Sequence, residues 1–157
     1  LMQSLDSEQK QRATISASKV RNNQVAAANQ DNLVLNYEGI KGSDLTSQQR
    51  LYLLNVIRSF VGALRDPHAE ITMEEVGQYL DDTYFAWVGE SEDDSVFYYR
   101  IHSPVILIEF DHQGPVGTLH KNPAGVPTRD HIHTVVRTPN GNDYGKDLLA
   151  QHLAREH

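Results

Sequence analysis

The sequence predicts an α+β fold, an antiparallel sheet of about four strands packed against three or four helices in a single domain. Two observations lead to it. Before residue 83 apolar residues recur at helical spacing behind capping-box signals; after it they gather into short aromatic and β-branched runs separated by turn residues. A length of 157 residues suits one core and leaves little for a second. The expected division is a polar N-terminal helix or arm over 1–45 and an α+β domain over 46–157 that carries any functional site.

Residues 1–36 are polar and rich in Gln and Asn. Asp6 and Gln9 form a capping-box-like start for a helix over about 7–20. The following "RNNQVAAANQDN" lacks a period and reads as a loop or loosely held arm, while "LVLNY" at 33–37 is strand-like. Thr46 and Gln49 make a capping box for a helix of about 47–64, with Leu53, Ile57, Phe60 and Leu64 as its core-facing stripe. "RDPH" at 65–68 is read as its end, because Asp66 precedes a proline. Thr72 and Glu75 repeat the box and open a short helix to about 82, with Met73, Val76 and Leu80 inward.

Strands are expected at 83–89, 95–102, 105–112 and 131–137, with "ESEDD" (90–94) as a solvated hairpin tip and Pro104 parting the second strand from the third. Residues 113–130 form a long loop rich in Pro and Gly, a type that often has a function. Asn142 or Asp143 caps a last helix to about 155.

Composition removes several classes of function. A formal charge of −7 leaves no basic patch for nucleic acid, so none is expected as a partner. The longest apolar run, "VILI" at 105–108, is strand-sized, and no membrane partner is expected. The absence of cysteine removes disulfides, thiolate metal sites and cysteine nucleophiles together. Leu1 stands where an initiator Met would, which reads as a removed leader or a trimmed chain and leaves the compartment open between the cytoplasm and secretion after leader removal. No G-x-S-x-G elbow, P-loop or dinucleotide fingerprint is present.

One constellation carries chemistry. Strand side chains alternate faces, so His131, His133, Val135 and Arg137 share one face, and Ile132, Thr134 and Val136 share the other, which reads as core. Imidazoles two residues apart start roughly 6.5–7 Å from each other and can converge on one metal ion. In "VILIEFDH" Glu109 and Asp111 share a face within an apolar segment, where a lone carboxylate is costly. Two histidines and a carboxylate give an open site suited to Fe(II), Mn(II) or Zn(II). His131, His133 and Glu109 are the expected ligands, with Asp111 as a fourth ligand or supporting group. Arg137 pairs with Asp111 or holds an anionic substrate oxygen, and His102 is a further ligand, an acid/base group or a lining residue.

Two plainer readings stand beside this one. Glu109 and Arg137 can form a buried salt bridge that only organises the sheet, or the pocket can bind an anionic small molecule without catalysis. His112 points away from Glu109 on a regular strand; His68 and His120 are expected in solvent and His152 in the core. Asp143 is an N-cap or an acceptor for an imidazole N–H. Phe85, Trp87, Tyr98 and Tyr99 are core or the wall of an aromatic pocket.

The segments "FYYRIHSPVILIEFDHQ" and "HIHTVVRTPNGNDYGKDLLAQHL" resemble the C-terminal half of an uncharacterised family, domain of unknown function 3500. Its pattern is Y-Y-R-I-x-[GS]-P…I-E-[YF]-D, then H-I-H-x-x-x-R and a turn ending D-[FY]-G-x-D-x-L, here over about 84–153. The resemblance singles out Glu109, Asp111, His131, His133, Arg137, Asp143 and Gly145, and it implies positions, not a reaction. The expected function is a metal-dependent enzyme, hydrolase or oxygenase, acting on a small organic molecule.

Overall fold

The structure, a computed structural model, describes residues 1–26, 33–117, 123–139 and 152–155. Helix α1 (Ser7–Ala13) carries the Asp6/Gln9 capping box and is shorter than expected, because the chain extends at Thr14 into strand β1 (Thr14–Ser16). The strand-like 33–37 forms no strand; β2 is the two-residue Ile40–Lys41. Helix α2 (Ser47–Val61) has the complete Thr46/Gln49 box and stops at Gly62, three residues before its expected end. Helix α3 (Asp66–Gln78) overturns the reading of Pro67 as a terminator. Proline sits in the first turn of this helix, where its missing N–H breaks no helical bond. Thr72 therefore lies mid-helix and caps nothing, while Val76 is buried as expected.

Four longer strands follow: β3 (Tyr84–Gly89), β4 (Phe97–His102), β5 (Leu107–His112) and β6 (Ile132–Arg137). They form an antiparallel meander, and β1 and β2 join the outer edge of β3. The sheet thus has six strands, not four, and is mixed, since β1 runs parallel to β3. Between β4 and β5 the Ser103 hydroxyl accepts the N–H groups of Val105 and Ile106 in a tight turn around Pro104, which sets back the start of β5. The 90–94 tip is a turn, as expected. Of the expected last helix, residues 152–155 are helical and exposed, His152 among them, and the remainder lies outside the described residues.

One face of the sheet meets α2 and α3. Leu53, Ile57, Val61 and Val76 pack against Phe85, Trp87, Ile101 and Ile108, and the same cluster takes in Met2, Leu5, Ala13 and Ile40 from the first 45 residues. Aromatic rings continue this face toward β5: Trp87 stacks on Phe97 (4.5 Å), and Tyr99 stacks on Phe110 (5.2 Å). Ile132 and Val136, expected in the core, are 45% and 50% exposed. They lie on the last strand of the sheet, beyond the strands that α2 and α3 cover.

His112 closes the aromatic run with its ring edge-on to Phe97 and Phe110, and its Nδ1 accepts the Phe97 N–H (3.0 Å). Burial among these rings pushes its pKa down; a hydrogen bond to the Phe97 carbonyl opposes this, the Arg129 and Lys19 charges add to it, and the Asp111 charge opposes it. The folded protein therefore binds this proton less readily than the unfolded chain. The contribution is present in full above the ordinary histidine pKa of ~6.5 and is lost as pH falls toward the depressed folded value. Denaturant midpoints from pH 8 to pH 5 should fall less steeply in His112→Gln than in wild type; parallel curves would contradict the assignment.

Candidate metal centre and its clasp

Opposed residues on neighbouring strands share a face, so the register aligns the other side of the sheet into rows. Val88, Tyr98, Asp111 and His133 make one row, Ala86, Arg100, Glu109 and Val135 the next, and Tyr84, His102, Leu107 and Arg137 the third. The alternation expected for Glu109, Asp111, His133 and Arg137 thus holds. This side is polar, and it is covered by the N-terminal arm.

The two carboxylates grip that arm. Asp111 Oδ2 accepts the N–H groups of Asn23 (2.9 Å) and Gln24 (3.0 Å) and the Gln113 side-chain amide (3.0 Å). Glu109 accepts the N–H groups of Val25 (3.0 Å) and Ala26 (2.8 Å) and the Tyr98 hydroxyl (2.6 Å). Successive backbone N–H groups aimed at carboxylate oxygens form an anion cradle, and here four in a row serve two anions. Lys19 completes the clasp, its Nζ 3.0 Å from Asp111 Oδ1. Both side chains of that ion pair are buried. Desolvation lowers the Lys19 pKa, with the Asp111 hydrogen bond and charge acting against it. Burial and the Glu109 charge push the Tyr98 hydroxyl up, so it remains a donor.

His131 and His133 meet beside this clasp. Their Nε2 atoms lie 3.0 Å apart, with the rings nearly perpendicular. The Gly114 carbonyl stands 2.5 Å from His131 Nδ1, and a carbonyl only accepts. Nδ1 therefore carries a proton, and Nε2 faces Nε2 of His133 at hydrogen-bond distance; in the Nδ1–H tautomer the His131 nitrogen accepts and that of His133 donates. A ligating histidine typically has this tautomer, its other nitrogen donating to a carbonyl. Two nitrogens each ~2.1 Å from a shared ion, at angles from square to tetrahedral, lie roughly 3.0–3.4 Å apart. The imidazole pair fits that chord.

The other expected site residues are placed elsewhere. Glu109 lies in the row beyond the His133–Asp111 row, with its oxygens committed to the arm and Tyr98. Among the described residues, no three His, Asp or Glu side chains converge on a metal position. Arg137 donates from Nε to the Ala26 carbonyl (3.3 Å), and Asp111 has Lys19 as its ion-pair partner instead of Arg137. His102 is buried under the Tyr37 ring (4.3 Å between centroids), two rows from His133, roughly 13 Å along the strand direction. Arg100, buried between these rows, pairs with Glu38. His68 is exposed as expected, and Phe85 and Trp87 are core. His120, Asp143 and Gly145 lie outside the described residues.

Sequence reasoning missed Lys19, Asn22 and the amides of 23–26. The available signal was the buried E-x-D itself, which demanded donors that Arg137 alone cannot supply.

Fold and site together define an α+β protein whose mixed sheet is apolar toward its helices and polar toward its own N-terminal arm, with an imidazole pair at the last strand. The chain belongs to the family described as "Protein of unknown function (DUF3500)", which it matches over residues 1–146. The match thus extends through the N-terminal arm, well beyond the C-terminal half in which the resemblance is most legible. No curated protein and no solved structure matches the chain. Among the described residues, no helix is long and apolar enough to cross a membrane.

Removing one member of a buried ion pair leaves the other charged and uncompensated. Asp111→Ala should cost about 3–5 kcal/mol of unfolding free energy, as should Lys19→Ala, while Lys19→Met combined with Asp111→Leu should cost less than the sum of its single variants. Additive losses in denaturant titrations would show that the two groups do not act as a pair.

Proposed function

We propose that the protein is a metal-dependent enzyme, hydrolase or oxygenase, that acts on a small organic molecule at a centre built on His131 and His133. The observation that carries the reading is the 3.0 Å approach of the two Nε2 atoms together with the Nδ1–H tautomer that Gly114 imposes on His131. Imidazole donors suit a divalent transition ion such as Zn(II), Fe(II) or Mn(II), and a bound ion would supply Lewis acidity or activate water or dioxygen. With two protein ligands, His131 just ahead of β6 and His133 on it, several coordination positions remain for water and substrate. His133 is exposed and His131 half-buried, so a small molecule can reach them directly.

In this reading Glu109 and Asp111 belong to the scaffold of the centre, and Arg137 holds the arm at Ala26. Asp111 lies opposite His133 on β5, so the clasp holds the strand position beside that imidazole. A second reading is favoured by one specific fact. Every described partner of the two carboxylates is a donor, and all but the Tyr98 hydroxyl and the Gln113 amide tie the arm to the sheet, as a purely structural polar network requires.

Metal analysis of tag-free protein equilibrated with Zn(II), Fe(II) and Mn(II) separates the two. The enzyme reading expects roughly one transition ion per chain. That ion should be lost in His131→Ala and in His133→Ala, both of which remain folded because the clasp is untouched. Wild type that retains no ion, or variants that retain the same amount, would leave the structural network as the function of these residues.

A further inference from the structure

The arm reaches the loop that carries the acceptor of His131 as well as the carboxylates. Asn22 Oδ1 accepts the Gly114 N–H (3.0 Å), and the Gly114 carbonyl in turn accepts the proton of His131 Nδ1 (2.5 Å). The loop between β5 and β6 crosses itself at this point. A Cβ added to Gly114 would lie 3.3 Å from Gly125 Cα, so the loop limbs run backbone against backbone. The Gln113 N–H donates to the His131 carbonyl (2.9 Å), and the Gln113 carbonyl accepts from Thr128 (2.9 Å). Gly114 is thus held from the loop side by packing and from the arm side by one side chain, Asn22.

The next residues of the arm fasten the other half of the centre. Asn23 and Gln24 donate to Asp111, the row partner of His133. Over three consecutive residues the arm therefore fixes the acceptor that orients one imidazole and the carboxylate of the residue opposite the other.

We infer that the N-terminal arm governs the imidazole centre and that Asn22 is its positioning residue, setting the tautomer and aim of His131 through the Gly114 carbonyl. The metal half of this inference rests on the proposed function; the tautomer half does not. With Asn22 in place the Nε2 lone pair of His131 is presented toward His133. Without it, residue 114 loses its only side-chain tether to the arm among the described residues, and the imidazole is free to populate the Nε2–H form.

The test uses the full chain in two measurements. Long-range ¹H–¹⁵N spectra of the metal-free protein report the tautomer of each imidazole, and Zn(II) titration reports the centre. In wild type His131 should be the Nδ1–H form. Asn22→Ala, and Asn22→Gln, which displaces the acceptor by one methylene, should mix the two tautomers and weaken Zn(II) binding by about tenfold or more, the usual scale for losing an outer-shell partner. Asn22→Asp keeps an acceptor oxygen at the same reach and should restore both. Asn22 is exposed, so these variants are expected to fold with wild-type unfolding midpoints. Folded Ala and Gln variants with the wild-type tautomer and wild-type Zn(II) affinity would overturn the inference. If wild type and variants alike bind no Zn(II) but the tautomer still shifts in Ala and Gln, the positioning role stands and the metal reading fails. If no protein binds Zn(II) and the tautomer is the same in wild type and variants, both fall.

Discussion

Two carboxylates buried in β5 govern this molecule. Glu109 and Asp111 are inaccessible to solvent, and taking an anion out of water without compensation is prohibitive. Compensation comes from four consecutive main-chain N–H groups, a phenolic hydroxyl, a side-chain amide and one buried ammonium. Hydrogen bonds to charged groups are about twice as strong as neutral ones, so a short irregular segment can be held by them without an apolar core of its own. A segment with no periodicity in sequence thereby becomes a fixed layer of the fold.

The rest of the architecture follows from that layer. A sheet whose second face faced water would not need the arm, and one whose second face was apolar would need another helix. Here the second face is polar and, over β4 and β5, enclosed. Lys19 and residues 23–26 cover the end near Tyr98 and Asp111, while Tyr37 covers His102 and Tyr84 and Glu38 pairs with Arg100 at the other end. The modest apolar content of the chain is spent on one face, against α2 and α3. The same arm then reaches the loop between β5 and β6 through Asn22, which brings the orientation of His131 within its control.

What the sequence made legible was what depends on local spacing. The Asp6/Gln9 and Thr46/Gln49 boxes are contacts within one turn, and both form. The period of two on β5 and β6 put Glu109, Asp111 and His133 on one face, which the register bears out. Pro67 was ambiguous because proline both ends a helix and suits a first turn, and local spacing does not choose between them; in the fold it stands in the first turn of α3, whose Val76 is buried in the core. The clasp was illegible for another reason. Its donors are main-chain N–H groups, which every residue but proline possesses, so no side-chain pattern in 21–26 announces them. The exposure of Ile132 and Val136 was hidden as well, because alternation gives a face but not what lies over it.

The clasp makes the arm a cooperative part of the fold. Native-state hydrogen exchange measures this residue by residue. The amides of Asn23, Gln24, Val25 and Ala26 should be protected to within about tenfold of the slowest amides of β5, because both open only when the carboxylates are re-exposed to water. Exchange of those four at the rate of an exposed loop, with β5 still protected, would show that the clasp does not hold and would contradict the account.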